Sequence, residues 1–317
     1  MRKLISGLLL VFLLIPCIAL ADLTVYFLDV GQGDSAIVVC DGEAMIIDGG
    51  MPRKSGKIQS VSNKIYAYIK DELHLKQLKY VIATHPDNDH IGGLPAAMQA
   101  VDSVYRVYSP VTEYDSDRFR DLENMAKNKG VKLKRPYDEE TMSLGNATIT
   151  FFNCDAKQNI VKRVGKGILS LFSSDEPEEN EDNNNISLVV RIEYGETSFL
   201  FTGDIEKDAE ARLIGNRQIQ PVNVLKVAHH GSDSSSTQGF LDAVFDGVEK
   251  RYAVISCGEN KKFNHPTEKT LKALKGMDVE LYRTDLQGDI ICTSDGKSIT
   301  FKTESKAQTD VFMAPKK

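Results

Sequence analysis

Residues 80–93 read YVIATHPDNDHIGG, a short apolar run that leads into a dense polar turn and then two glycines. Four imidazole or carboxylate side chains lie within six residues there, at His85, Asp87, Asp89 and His90. A turn at the end of a strand can direct several short side chains at one point. Because imidazole and carboxylate groups together suit a divalent cation, the segment predicts a metal site. A polar turn with local side-chain hydrogen bonds is the alternative.

Further along the chain, ionisable side chains end three other apolar, strand-like runs. They are Asp48 at a Gly-Gly turn, Asp204 within Thr-Gly-Asp, and the pair His229 and His230 before Gly231. Rigid scaffolds place their binding loops at the ends of sheets. One such residue means little, but this recurrence predicts that the strand ends share one site.

The periodicity of apolar residues predicts sheets covered by helices. Many strands precede the first helix, and the second half of the chain alternates strand and helix. Strands are predicted near residues 23–30, 35–40, 44–47, 80–83, 147–152, 187–194, 197–202, 222–228, 252–257 and 279–284, with a last hairpin near 289–303. Helices are predicted near residues 58–73, 116–128, 206–214, 237–246 and 267–275.

The composition is that of an ordinary globular protein: 317 residues, 41% hydrophobic and 26% charged. The net charge of −6 argues against a general polyanion-binding protein, because phosphate contacts need concentrated cations. Any phosphoester chemistry must then come from a local site. Residues 165–185 are acidic and rich in Asn, which predicts a surface insertion or loop.

The first 21 residues have the pattern of a secretory signal peptide: a basic start, an apolar run and Ala19-Leu20-Ala21 at its end. We therefore expect a periplasmic or secreted protein with no stable membrane span after cleavage. A retained anchor is the alternative, although about 17 apolar residues are marginal for spanning a bilayer. Cleavage removes Arg2 and Lys3 and changes the net charge to −8. The remaining chain is predicted to be a domain over 22–305 with a flexible tail over 306–317.

Four cysteines follow the predicted signal peptide, at positions 40, 154, 257 and 292. An even number permits two disulfides in an oxidising compartment. Four buried thiols are the alternative. None of the four has the C-x-x-C spacing of a metal site.

The block HPDNDH at 85–90 resembles the His-x-His-x-Asp-His signature of the metallo-β-lactamase superfamily. The opening FLDVGQGDS at 27–35 is similar to that of the soluble domain of ComEC-type competence proteins. The later blocks TGD at 202–204, LKVAHHGS at 225–232 and NHP at 264–266 are similar to that domain's motifs, in the same order. The resemblance implies an α/β fold: a single-domain, four-layer αββα sandwich with metals at one edge.

The resemblance also implies the site residues. It implies two divalent ions, zinc or manganese, held by His85, Asp87, Asp89, His90, Asp204 and either His229 or His230. Catalytic roles fall to Asp89, to Asp48, which would orient the signature loop, and to His265, which would contact phosphate or protonate the leaving group. Apart from the resemblance, Lys261 and Lys262 are close enough to His265 in the chain to add positive charge. The turn at 31–34 is expected beside the site, with Asp34 behind the ligands.

Two positions depart from the superfamily pattern. Asp87 stands where the signature has its second His, a substitution shared by ComEC-like proteins. No His occupies the third motif; residues 183–187 (NNNIS) fall there, so Asn184 or Asn185 would face the site. The transmembrane channel of the competence proteins is also absent, so a role in DNA import is not transferred.

The expected chemistry is hydrolysis by a hydroxide held between two ions. Asp87 makes the site harder than a His would and moves preference from zinc towards manganese, which suits a phosphodiester. We expect a secreted metal-dependent phosphodiesterase or nuclease, with a phosphorylcholine-type cell-wall phosphodiester as another substrate class. The alternatives are an acyl hydrolase of the β-lactamase or lactonase type and a binding module without catalysis. The oligomeric state stays open.

Overall fold

The structure is a computed structural model that describes residues 22–51, 61–155, 181–259 and 263–315. In chain order its strands are β1 (Leu23–Phe27), β2 (Ser35–Cys40), β3 (Glu43–Gly49), β4 (Gln77–Ile82), β5 (Ser103–Tyr108), β6 (Leu133–Lys134), β7 (Thr141–Leu144), β8 (Ala147–Phe152), β9 (Val189–Tyr194), β10 (Thr197–Phe201), β11 (Val224–Lys226), β12 (Tyr252–Ile255), β13 (Glu280–Arg283), β14 (Ile290–Ser294) and β15 (Ile299–Thr303). Its α-helices are α1 (Val61–Ala67), α2 (Asn88–Ile91), α3 (Leu94–Ala100), α4 (Asp117–Asn128), α5 (Glu181–Asn184), α6 (Lys207–Gly215), α7 (Gln238–Val244), α8 (Glu268–Gly276) and α9 (Thr284–Gln287). A π-helical turn, Tyr68–Glu72, continues α1, and a 3-10 turn, Ala228–Gly231, follows β11.

The strands form two mixed sheets. One has the order β15-β14-β1-β2-β3-β4-β5-β6 and the other the order β13-β12-β11-β10-β9-β8-β7. In each sheet one half is antiparallel and the other half parallel: β3 to β6 are parallel in the first, and β10 to β13 in the second. The parallel halves direct the carboxyl ends of several strands towards a single edge.

Three apolar clusters fill the spaces between the layers. The central cluster lies between the sheets, and the outer two lie beneath α1, α3 and α4 and beneath α6, α7 and α8. Strand β3 shows the principle: Met45 and Ile47 lie in the central cluster, whereas Ile46 packs towards the helices. Because successive side chains alternate between faces, a strand covered on both sides is apolar throughout. The layers confirm the predicted αββα sandwich.

Most of the predicted elements are confirmed, including the opening hairpin of β1 and β2 and the closing hairpin of β14 and β15. The sequence analysis missed strands β5, β6 and β7 and helices α2, α3, α5 and α9. The missed helices have four to seven residues, too short to show a helical period. Tertiary packing rather than local propensity therefore stabilises them.

The prediction of a surface insertion over 165–185 is wrong at its end. Residues 156–180 lie outside the described part of the chain, but the last residues form α5. Asn183 and Asn184 in this helix are buried. Composition suggested exposure because Asn is usually a surface residue, yet a buried amide is stable when hydrogen bonds satisfy it.

The predicted flexible tail over 306–317 makes several contacts with the domain near residues 311–313. The buried guanidinium of Arg283 donates to the carbonyl oxygens of Val311, at 2.9 Å, and Met313, at 2.6 Å. Phe312 packs against the cluster beneath α8. A buried cation needs acceptors, so these contacts hold the segment around residues 311–313 against the domain.

The cysteines at positions 40, 154, 257 and 292 are buried and not disulfide-bonded, which is the second of the two alternatives. The predicted signal peptide lies outside the described residues. Within the described ranges, no helix combines the length and the apolar character needed to cross a bilayer.

Candidate metal centre

The site lies where the parallel strands of both sheets end. Asp48 is the second-to-last residue of β3, and His85 follows β4. Asp204 follows β10, and His229 and His230 follow β11. All of these side chains are buried. The structure therefore brings together the strand-end residues from which the sequence predicted one shared site.

Four imidazoles converge on a single carboxylate oxygen, Oδ2 of Asp204. The Nε2 atoms of the histidines lie 3.2 to 4.0 Å from it: His90 at 3.2 Å, His230 at 3.4 Å, His85 at 3.9 Å and His229 at 4.0 Å. Asp204 is thus the geometric centre of the cluster, as expected for a carboxylate shared between two ions.

The two other signature carboxylates lie on opposite parts of this cluster. Oδ2 of Asp87 is 3.7 Å from Nε2 of His85, and Oδ2 of Asp89 is 3.3 Å from Nε2 of His230. Asp87 therefore lies beside His85 and Asp89 beside His230, and the His90 ring lies 4.0 Å from the His85 ring and 5.3 Å from the His230 ring.

Asp48 orients the signature loop by contacts with His90 and Thr84. Its Oδ2 is 2.8 Å from Nδ1 of His90, and its two oxygens accept hydrogen bonds from the backbone N–H and the hydroxyl of Thr84 at 2.8 and 2.7 Å. With Nδ1 engaged by a carboxylate, His90 presents Nε2 to Asp204. This is how proteins commonly support a histidine that ligates a metal.

Asp34 also lies beside the Nδ1 atom of a histidine, but there the carbonyl oxygen of Ser256 accepts the hydrogen bond from His230. Oδ1 of Asp34 lies 3.2 Å from Nδ1 of that ring, and the carbonyl oxygen of Ser256 lies 3.0 Å from the same nitrogen. Its Oδ2 forms a buried ion pair with the Lys226 ammonium at 2.7 Å. The sequence analysis placed Asp34 behind the ligands but missed Lys226. A lysine inside an otherwise apolar strand was the signal, because buried lysines are paired.

His229 has a third carboxylate behind it. Nδ1 of His229 is 3.2 Å from Oε1 of Glu206, which also accepts from Ser234 Oγ at 3.0 Å and from Asn184 Nδ2 at 3.3 Å. The sequence analysis missed Glu206, although it stands only two residues after Asp204. An acidic residue at a helix start is too common to be read as functional.

The backbone makes it possible for adjacent histidines to enter one site. His229 and His230 have φ values of 49° and 52°, in the left-handed region that residues other than glycine rarely adopt. In an extended strand neighbouring side chains point to opposite faces. Here the strained turn places both imidazoles against Asp204, and such strain is typical of functional sites.

Close backbone contacts hold the signature loop in place. A Cβ at Gly33 would lie 2.4 Å from the carbonyl oxygen of Asp89, and a Cβ at Gly93 would lie 2.1 Å from that of Gly49. Asp34 also donates its backbone N–H to the Asp89 carbonyl at 3.2 Å. The tight turn at 31–34 therefore packs directly against the loop that carries Asp89.

Of the predicted residues outside this cluster, the structure places His265 beside it. The ring of His265 is 5.4 Å from the ring of His229 and stacks on Phe263 at 5.9 Å. Lys261 and Lys262 lie outside the described residues. His74 is exposed just beyond the π-helical turn.

The amides expected at the third motif behave differently from the prediction. Asn184 contacts Glu206, and Asn185 Oδ1 accepts from the backbone N–H groups of Glu206 and Ala209. The amide that touches a predicted ligand is Asn183, which donates to Oδ1 of Asp87 at 2.8 Å. The motif order placed this segment beside the site correctly but did not identify which of its amides contacts a predicted ligand.

Burial and mutual charge shift the pKa values of these groups. Burial lowers the pKa of His85 to about 3, which keeps the ring in the neutral form that binds metals. Burial raises the pKa of Asp87 to about 7. Burial also opposes the charged forms of Asp204, His90 and His230, but their mutual attraction outweighs it. The pKa of Asp204 is therefore well below, and those of the two histidines well above, the ordinary values.

The donor set fits divalent ions. Nε2 of His85, His90 and His230 and Oδ1 of Asp204 are buried without a hydrogen-bond partner of acceptable geometry. Two ligand atoms of one tetrahedral zinc lie about 3.4 Å apart, close to the spacings around Asp204. Asp34, His90, Asp204 and His230 each offer a ligand atom within 4.8 Å of the others. Convergent donors without hydrogen bonds are what a metal centre requires.

The comparisons with known proteins agree with this geometry. The sequence profile of the metallo-beta-lactamase superfamily matches residues 28–253, so the chain belongs to that superfamily of metallo-hydrolases. Among solved structures, the metallo-beta-lactamase fold protein YhfI from Bacillus subtilis aligns with a TM-score of 0.51. That alignment covers 86% of this chain and all of that one at 12% identity, which supports the fold alone.

Within the superfamily, the chain is similar to proteins of competence and recombination, which confirms the ComEC-like resemblance. It is 27% identical to ComE operon protein 3 of Bacillus subtilis (strain 168) over 285 residues, 87% of this chain and 33% of that protein. It is 24% identical to Recombination protein 2 of Haemophilus influenzae over 263 residues, 83% of this chain and 28% of that protein. The chain thus spans about a third of the length of these relatives.

Proposed function

We propose that this protein is a metal-dependent phosphodiesterase that binds two divalent ions, zinc or manganese, around Asp204. The observation that carries the proposal is the convergence of four Nε2 atoms within 4.0 Å of one Asp204 oxygen. His85 and Asp87 contribute to one ion, and Asp89, His90 and His230 to the other. Of the adjacent histidines, His230 fits the last ligand position of the family because it lies between Asp89 and Asp204.

The bound ions would supply an activated water and neutralise charge on the substrate oxygens. The residues of the chain provide orientation. Asp48 and Asp34 hold the rings of His90 and His230 from their Nδ1 sides, so that both Nε2 atoms point inward. His265, at the rim, is positioned to contact the phosphate or protonate the leaving oxygen.

The carboxylate content of the site favours a phosphodiester over an amide or ester substrate. Asp87, Asp89 and Asp204 make the donor set hard and anionic, which suits manganese or zinc with phosphate oxygens as substrate ligands. The similarity to proteins named for competence and recombination supports nucleic acid as one substrate class. The net charge of −8 after cleavage argues against tight binding of long DNA. The proposed substrates therefore include short nucleic acid polymers and cell-wall phosphodiesters such as phosphorylcholine esters.

A substrate comparison tests the proposal. Purified protein is assayed with bis-para-nitrophenyl phosphate and with a chromogenic β-lactam, each with manganese, zinc or chelator. We expect hydrolysis of the phosphodiester alone, dependent on added metal. Hydrolysis of the β-lactam alone would favour an acyl hydrolase, and undiminished phosphodiester hydrolysis in chelator would reject the metal mechanism.

We also propose export, with cleavage after Ala21, on the basis of the amino-terminal pattern alone. Amino-terminal sequencing of the protein from its host tests this. A first residue of Asp22 in the periplasm or medium is expected, whereas an intact Met1 in the membrane fraction would indicate a retained anchor.

A further inference from the structure

The third motif is one of the two positions at which this chain departs from the superfamily pattern, because the histidine ligand that the pattern implies is missing there. Without it, the ion beside His85 and Asp87 has one imidazole, one carboxylate of its own and the shared Asp204. The other ion has His90, His230, Asp89 and Asp204. On the expected ligands alone, the two ions would therefore be held unequally.

His229 has the properties of the missing ligand. Its side chain is buried, and Nε2 lies 4.0 Å from Oδ2 of Asp204, nearly the same as the 3.9 Å of His85. The two nearer histidines, at 3.2 and 3.4 Å, are His90 and His230. The distances thus separate a nearer pair, His90 and His230, from a farther pair, His85 and His229.

His229 is also supported as a ligand is supported. His90 and His230 each have a buried carboxylate at Nδ1, and His229 has Glu206 there at 3.2 Å. The repeated arrangement of carboxylate, imidazole and inward-facing Nε2 is the support that metal-binding histidines require. A histidine that only packed at the rim would not need a third buried carboxylate, whose desolvation is costly.

Helix α5, which occupies the place of the third motif in the chain, supports this ligand set instead of contributing to it. Asn183 donates to Oδ1 of Asp87 at 2.8 Å, on the oxygen away from the 3.7 Å contact between Asp87 Oδ2 and His85. Asn184 donates to the Glu206 oxygen that faces His229. One amide of α5 thus holds Asp87 directly, and the other acts on His229 through Glu206.

We propose that His229 replaces the missing third-motif histidine as a metal ligand, and that α5 positions it through the relay from Asn184 to Glu206. Both adjacent histidines are then ligands, one to each ion. Each ion has two imidazoles, one carboxylate of its own and the shared Asp204. This inference rests on the proposed two-metal site, but it concerns metal content and not the substrate.

The test is metal counting without substrate. Wild-type protein and variants are prepared metal-free, reloaded with manganese, and analysed by mass spectrometry for ions per chain and by electron paramagnetic resonance. We expect about two ions and an exchange-coupled pair in the wild type, and about one isolated ion in His229→Ala. The matched control is His265→Ala, which removes a neighbouring imidazole and is expected to keep two coupled ions.

A second variant guards against simple misfolding. Glu206→Gln keeps nearly the same shape and leaves His229 in place. We expect it to weaken binding of the ion beside His85 and Asp87 about 10- to 100-fold. Circular dichroism of the metal-free proteins checks that each variant is folded. If His229→Ala is unfolded, the Glu206→Gln affinity decides the question.

Two outcomes would overturn the assignment. The first is that folded His229→Ala still binds two coupled ions with wild-type affinity. If His229→Ala is unfolded, the same result in Glu206→Gln would overturn the assignment. The second is an equal loss of metal in His229→Ala and His265→Ala. Neither result depends on which ester is cleaved, so failure of the phosphodiesterase assay and failure of this assignment are separable.

Discussion

Asp89 and His90 show how a local motif acquires its role only through distant residues. In the chain they are neighbours, but Asp89 contacts His230 and His90 contacts Asp48 and Asp204. Each side chain therefore completes a cluster built from four separate segments. The motif identifies the candidates, and the contacts define what each one does.

At this scale we expect Asp89→Ala and His90→Ala to abolish hydrolysis and to lower metal content without loss of the fold. The reason is that each removes a donor from a centre in which Nε2 of His85 and His230 and Oδ1 of Asp204 are buried without hydrogen bonds. The loss of activity should exceed the roughly 10- to 100-fold that is typical when a residue hydrogen-bonded to a metal ligand is replaced. Activity and bound metal are measured together; wild-type metal content in inactive Asp89→Ala would assign Asp89 to catalysis alone.

Asp48→Asn isolates the effect of a carboxylate that contacts a ligand. The amide can still accept from the Thr84 N–H, but it no longer offers a second carboxylate oxygen to Nδ1 of His90. We expect metal affinity to fall about 10- to 100-fold. Competition with a chromophoric chelator measures it. Asp295→Asn, in the exposed turn between β14 and β15, should bind metal as the wild type does.

His265 acts on substrate in our proposal, so its replacement should separate binding from chemistry. We expect His265→Gln to lower kcat about 10²- to 10⁴-fold, the usual contribution of a general acid, while bound metal stays constant. Steady-state kinetics with bis-para-nitrophenyl phosphate measure the change. An unchanged kcat would reduce His265 to a packing residue.

Among the elements, the short helices α2 and α3 decide how the signature loop sits on the first sheet. Neither helix has enough residues to be stable alone. Their position depends on the contact between Gly93 and the Gly49 carbonyl in β3. A Cβ on residue 93 would lie 2.1 Å from that carbonyl oxygen. The site therefore depends on two backbones that approach without side chains between them.

Gly93→Ala is expected to destabilise the protein by about 1–3 kcal/mol, the usual cost of overpacking. The clash is with backbone, which cannot move aside as a flexible side chain does. Urea denaturation of metal-free protein measures the change. Gly239→Ala in the first turn of α7 is the control, because a Cβ there meets nothing within 4 Å and should not destabilise the protein. Equal stability of the two variants would refute the steric argument.

At the scale of the whole molecule, the two sheets bring their parallel halves to one edge and so assemble the site from the entire chain. The C-terminal segment completes the second half of the sandwich, because Arg283 next to α9 is buried against the carbonyls of Val311 and Met313. Stability and site geometry are thus linked through the second sheet.

Deletion of residues 306–317 should therefore lower stability, whereas deletion of 316–317 alone should not. The longer deletion removes two acceptors of a buried guanidinium, which costs about 1–3 kcal/mol. Thermal unfolding of both truncated proteins against the full chain measures the effect. Equal unfolding of the two would show that water replaces the lost acceptors.

The sequence by itself predicted sheets covered by helices and most of the ligand candidates, and the four-layer αββα arrangement was implied by the resemblance of its motifs. Buried strands can be recognised in the sequence because their side chains are apolar. The motif histidines and aspartates directly follow these apolar runs. The same local signals could not separate His229 from His230 or reveal Glu206 and Lys226 as partners.

Only the tertiary structure decided which side chains meet. Lys226 pairs with Asp34, Asn183 with Asp87 and Glu206 with His229, and the first two pairs join residues from distant parts of the chain. Such pairs depend on strand register and on left-handed backbone at two histidines, both of which arise when the sheets pack. The physical reason is that burial patterns are local, whereas the directions of side chains at the strand ends are set by the whole sandwich.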